Sequence, residues 1–230
     1  WYHPTNQAII VVGYIDVDRT EAKIKEMFSD IKNPENPAPI VDEQVPDNAE
    51  PIIIVDKDKE EQMNSVELMF KYDSTPEDQK GYLPSLIEDF VTDMASAMLN
   101  ARLQEEAQKA DAPFVSAYGY AGNYIFAKTK DAFTFNATPK DGQTEATLAA
   151  LTREAMRAAK FGFTATEYER AKANYMSALE KQYTNRDKRT NTQLFNQILG
   201  NYLNNDCLPS IDFSYAVMKQ VLPTLTVDMI

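Results

Sequence analysis

The sequence predicts an α+β fold, a largely antiparallel or mixed β-sheet covered on one face by helices. Three observations carry this prediction. Apolar, β-branched or aromatic runs that suit strands are interleaved with stripes of apolar residues at helical spacing. Their order, β-α-β-β-α-β-β-α-α-α, lacks the regular alternation of a parallel sheet. At 230 residues with 43% hydrophobic content, the chain can bury one full core, so residues 1–230 read as a single domain.

Ala8 to Ile15 is a β-branched run bounded by Asn6 and Asp16, the pattern of a buried strand. Asp18 with Glu21 offers a capping box for a helix whose apolar stripe is Ile24, Met27, Phe28 and Ile31. Residues 33–51 hold Pro34, Pro37, Pro39, Pro46 and Pro51, and this density of proline enforces an extended strap. Ile52–Val55 and Val66–Tyr72 are strand candidates around an acidic turn, either paired as a hairpin or splayed to different neighbours. Thr75–Pro76 suits a helix start, and Leu83, Leu86, Ile87, Phe90, Val91, Met94 and Met98 trace the buried stripe of a central helix.

Val115–Ala127 and Ala132–Ala137 alternate as antiparallel strands, the second closed by Asp141–Gly142. The remainder is helical. Leu148, Leu151, Ala155 and Met156 form one stripe, Gly162 ends that helix, and Thr164 with Glu167 caps the next from Ala165 to about Tyr183. Two shorter helices follow, around Gln193–Leu203 and Tyr215–Val221. Aromatic residues open the chain at Trp1–Tyr2, and Thr226 suits the cap of a helix beginning at 226–230, so the sequence reads as one domain of a longer polypeptide.

The chain carries 23 basic and 35 acidic residues, a net charge of -12, which opposes nucleic acid and anionic lipid. No apolar run approaches the roughly 20 residues of a membrane-spanning helix. One cysteine, Cys207, rules out an internal disulfide, and one histidine, His3, rules out a two-histidine metal helix. Neither has a visible catalytic partner.

The acidic residues Asp56, Asp58, Glu60 and Glu61, with Glu67 in the twelfth place, lack the glycine that a helix–loop–helix calcium loop needs at the sixth, where Glu61 stands. Gly13 alone does not make a dinucleotide-binding loop. Lys181, Arg186, Lys188 and Arg189 form the one basic cluster, suited to a solvated helix end or an acidic partner. Met63 and Met69, with the central helix's Met94 and Met98, suit either an adaptable binding face or, for the last two, the core. Tyr118 and Tyr120 share one face of their strand by period two. They could line a peptide-binding wall or pack under a helix.

Several strings together resemble a known family. Trp1-Tyr2-His3-Pro4-Thr5-Asn6 followed by Ala8-Ile9-Ile10-Val11-Val12-Gly13 is similar to the opening of a domain in insulinase-like zinc peptidases, also called pitrilysin-type or inverted zincins. Leu99, Arg102-Leu103 and Glu105-Glu106 resemble that domain's central helix, with Tyr118 where its next strand begins. Gly162-Phe163-Thr164, Glu167, Arg170-Ala171 and Lys172 resemble the start of a later helix. Tyr14 after Gly13, and the Asp111-Ala112-Pro113 turn, depart from the family pattern.

The resemblance implies the second, zinc-free domain of a peptidase half-molecule. Such a domain has no catalytic residues and no metal ligands of its own. The parent's zinc would sit in the preceding domain, and this one would support that domain and help enclose peptide substrate, with Tyr118 and Tyr120 as the substrate-binding candidates. The zinc-bearing domain of the same polypeptide and a peptide are the partners implied, and a bacterial periplasm or cell envelope the compartment. The alternative is a catalytically inactive homologue with a scaffold or assembly role, of the processing-peptidase partner or respiratory core-subunit type.

Overall fold

In a computed structural model describing residues 3–80 and 82–230, three antiparallel strands are flanked by six α-helices. Strands β1 (Val66–Asp73), β2 (Phe114–Asn123) and β3 (Lys130–Pro139) lie in the order β1-β3-β2. β3 pairs along its whole length, with Leu68 opposite Phe135 and Tyr118 opposite Asn136. The helices are α1 (Val17–Phe28), α2 (Leu83–Ala107), α3 (Thr144–Phe161), α4 (Ala165–Thr184), α5 (Asn191–Asn204) and α6 (Ile211–Val221). Helices cover one sheet face, as the sequence predicts.

That face shows strand alternation directly. Val66, Leu68, Phe133, Phe135 and Ala137 point toward Leu99 and Leu103 of α2 and toward Ala150 and Leu151 of α3. Gly119 is required in this layer: a Cβ there would come within 2.8 Å of the Phe133 ring. Phe90, Met94 and Met98 form a second core with Tyr168 and Leu179 of α4 and Met218 of α6. The central helix therefore joins two cores. Its upper stripe packs against helices rather than against the sheet, which corrects the simplest reading of that stripe, and Leu86 is only half-buried.

Three sequence expectations change. Ala8–Ile15 forms no strand and bends at Gly13–Tyr14, and Ile9, Val11 and Ile15 are exposed. Ile52–Val55 is likewise unpaired and exposed. Both have the side chains of a strand, yet a strand exists only where another backbone completes its ladder. The first helix is capped by Asp16, which accepts from Arg19 N at 3.0 Å, rather than by Asp18. Its apolar residues Met27 and Phe28 are exposed, as is Ile31 beyond it.

The proline-rich strap, residues 33–51, forms no helix or strand. It is tied to the sheet end by Lys130, whose buried ammonium donates to Asp73 at 2.6 Å and contacts Asp47 of the strap at 2.7 Å. Lys71 Nζ also donates to Pro46 O at 2.8 Å. The central helix starts at Leu83, later than Thr75–Pro76 suggests, after a single 3-10 turn at Glu77–Gln79. At the far end Val227–Met229 makes one 3-10 turn, and Thr226 forms no side-chain cap. Trp1 and Tyr2, the first residues of the family-like opening, lie outside the described residues.

Candidate functional site

The open face of the sheet carries the two tyrosines singled out in the sequence. Tyr118 and Tyr120 leave the helix-covered layer by strand alternation and sit opposite Asn136 and Thr134 of β3. They are 50% and 45% exposed, which removes the reading of them as core under a helix. Their rings stack with centroids 6.0 Å apart and planes 24° apart. On the same face Asn136 Nδ2 donates to Glu67 Oε1 at 2.8 Å, and Lys71 lies 5.2 Å from the Tyr124 ring. The face offers flat aromatic area, amide groups and charges of both signs, which is the chemistry of a surface that holds extended backbone without selecting one sequence.

The outer edge of β2 is closed. Asn100 of α2 donates to Gly119 O at 2.9 Å and accepts from Gly119 N at 2.7 Å, taking the place that a neighbouring strand would occupy. The β2 edge is therefore not free to take an added strand at Gly119.

Behind the sheet two of the family-like strings meet. Arg102 of α2 donates from Nε to Glu167 Oε1 at 2.6 Å and from Nη2 to Glu167 Oε2 at 2.9 Å, a bidentate pair. Nη2 also donates to Gly162 O at 3.0 Å, and the guanidinium sits 4.7 Å from the Phe163 ring. Glu154 of α3 comes within 3.9 Å of Nη1, an electrostatic contact only. Glu167 in turn closes the capping box of α4, accepting from Thr164 N at 2.7 Å. The α3–α4 turn is made possible by Gly162 at φ 63°, ψ -146°, a conformation suited to glycine.

The bond from Arg102 is the main cause that holds the Glu167 carboxyl down to about 2, and the Thr164 backbone and hydroxyl add to it. This cluster fixes α2, α3 and α4 to one another. Its ion pairs and capping bonds join helices, so the part it plays is structural. Sequence reasoning placed both residues in family-like strings without pairing them. A visible signal was the charge of Arg102 between the buried Met98, Leu99 and Leu103 on the central helix.

The remaining candidates lie apart. His3 Nδ1 contacts Thr5 Oγ1. Asp58 Oδ1 accepts from Glu60 N within its own turn, while Glu67 is committed to Asn136. Cys207 is exposed and outside any disulfide. Met94 and Met98 are buried, and Met63 is exposed. Arg186 pairs with Asp212 at 3.3 Å. Among the described residues no three of His, Cys, Asp and Glu converge as a metal site. The residues present do not fit a catalytic zinc ion, which needs three protein ligands.

The architecture, an antiparallel sheet backed by helices with an aromatic open face, is that of an α+β domain. The profile of the Peptidase M16 inactive domain matches residues 1–175, and the chain belongs to that family. It is 28% identical over 231 residues to "Probable zinc protease PqqL" of Escherichia coli (strain K12), covering 99% of this chain and 24% of that protein. The chain thus spans about a quarter of that relative's length. Among solved structures, the first half of the periplasmic protease PqqL from Escherichia coli superposes with a TM-score of 0.73 at 23% identity, over 100% of this chain and 48% of the other. A predicted insulinase family protease from Yersinia pestis gives 0.76 at 15% identity, over 94% and 45%. These two show the shared fold.

Proposed function

We propose that this domain serves a zinc endopeptidase of the insulinase/pitrilysin type by supporting its zinc-bearing domain and walling the space in which peptide substrate is held. The single observation that carries the reading is the exposed, stacked Tyr118–Tyr120 pair on a sheet face opposite the helices. Bond-making is assigned to the partner domain, since this chain has one histidine and one cysteine. The tyrosines act by confinement: they hold an extended peptide against a rigid sheet and so reduce the freedom it must lose on reaching the metal. Peptide substrate, the zinc domain of the same polypeptide as partner, and a bacterial periplasmic or envelope location belong to this reading, the location supported by the likeness to a periplasmic protease.

The test is Tyr118→Ala with Tyr120→Ala in the full-length polypeptide. Peptide turnover is expected to fall about tenfold or more, roughly 1.4 kcal/mol of lost positioning, with zinc content and melting temperature unchanged. Unchanged turnover with an unchanged melting temperature would remove the tyrosines from substrate handling.

A further inference from the structure

Helix α5 is amphipathic and leaves an apolar face exposed. Phe195, Ile198 and Tyr202 recur along one face, all are exposed, and no residue of the helix is buried. The helix is nevertheless well built: Thr190 and Gln193 form a reciprocal capping box at its start, and Asn205 ends it in the left-handed conformation. At its first turn the extended run Ile10–Val12 faces Asn191, Thr192 and Phe195 across an open groove of about 390 Å³. Two apolar segments that are at most half-buried in this chain thus stand side by side. A preformed helix with a bare apolar stripe suits a surface completed by another chain segment.

The surroundings describe that segment. In a chain of net charge -12, the one basic cluster lies at this end of α5. Lys181 closes α4, and Lys188 and Arg189 immediately precede the Thr190 cap. Arg186 is engaged with Asp212, whereas no carboxylate pairs with Lys181, Lys188 or Arg189 among the described residues. The relatives supply the length: the first half of PqqL holds about as much chain again beyond the part this domain matches.

We infer that the α5 face, with the Ile10–Val12 groove, is the seat of the neighbouring domain of the same polypeptide, whose contacting surface is apolar at its centre and acidic where it meets Lys188 and Arg189. The apolar stripe supplies the attraction, and the basic rim fixes the orientation. This rests on the reading above that the domain works beside a second one, and it adds where the two meet.

Thiol labelling of the full-length polypeptide tests it. In a Cys207→Ser background, Ile198→Cys and Tyr202→Cys should react with a maleimide at least about thirtyfold more slowly than glutathione does, at a rate independent of protein concentration. Adding Lys188→Glu and Arg189→Glu should speed that reaction severalfold. Labelling faster than that limit overturns the proposal, as does protection that appears only at concentrations where the polypeptide dimerises, which would make a second copy the occupant. An unchanged rate in the charge-reversed variant overturns the acidic rim. Should a cysteine variant fold poorly, hydrogen exchange of Asn191–Asn204 in the unaltered polypeptide decides the same point: rapid exchange throughout α5 overturns the seat. Zinc content and peptide hydrolysis are read separately. Their absence alongside slow labelling removes the peptidase reading alone, and fast labelling in an active protein removes the seat alone.

Discussion

Replacing Glu167 by glutamine is expected to cost about 3 kcal/mol of stability at pH 7, because it leaves the Arg102 guanidinium buried without its bidentate partner. Glu154, 3.9 Å away, keeps the loss at the lower end of the usual range for a broken buried pair. The acid behaviour follows from the same bond. The Glu167 carboxyl titrates at about 2 when folded against an ordinary value of 4.5. Its contribution is fully present above pH 4.5 and is lost as pH falls toward 2. Urea midpoints of the two proteins should therefore differ widely at neutral pH and converge in acid. A difference that stays constant from pH 7 to pH 2.5 would show that the charge of Glu167 is not the cause.

Phe90→Ala should lose about 3–5 kcal/mol, the largest effect expected of one apolar truncation here. Phe90 is 1% exposed and meets Tyr175 of α4 edge-on, with centroids 5.0 Å apart. Its removal opens a cavity in the core shared by α2, α4 and α6, bounded by Met94 and Met98. Asp89, its exposed neighbour on the same helix, is the control, and its change to alanine should shift the urea midpoint little. Equal, mild effects at both positions would mean that the register of the central helix is wrong.

These residues also show what could be read in advance. The stripe through Phe90, Met94 and Met98, and the Thr164–Glu167 capping box, are local patterns, and the structure repeats them. Ile9–Val12 and Ile52–Val55 have the side chains of strands, but sheet membership depends on a distant backbone, which no local pattern contains. For the same reason period two put Tyr118 and Tyr120 on one face, while only the packing of α2 and α3 against the other face left them open. The pair Arg102–Glu167 spans 65 residues of sequence. Each member stood in a separate local pattern, and their meeting depended on how α2 and α4 cross.

In the proposed reading this domain has a supporting part, and the metal chemistry belongs to another domain of the polypeptide. Metal analysis of the 230-residue chain after dialysis against zinc tests that division most directly. The account predicts no stoichiometric zinc and no peptide hydrolysis, since His3 and Cys207 are its only histidine and cysteine and no three metal-ligating side chains converge among the described residues. Tight one-to-one zinc binding that disappears in His3→Ala would contradict it.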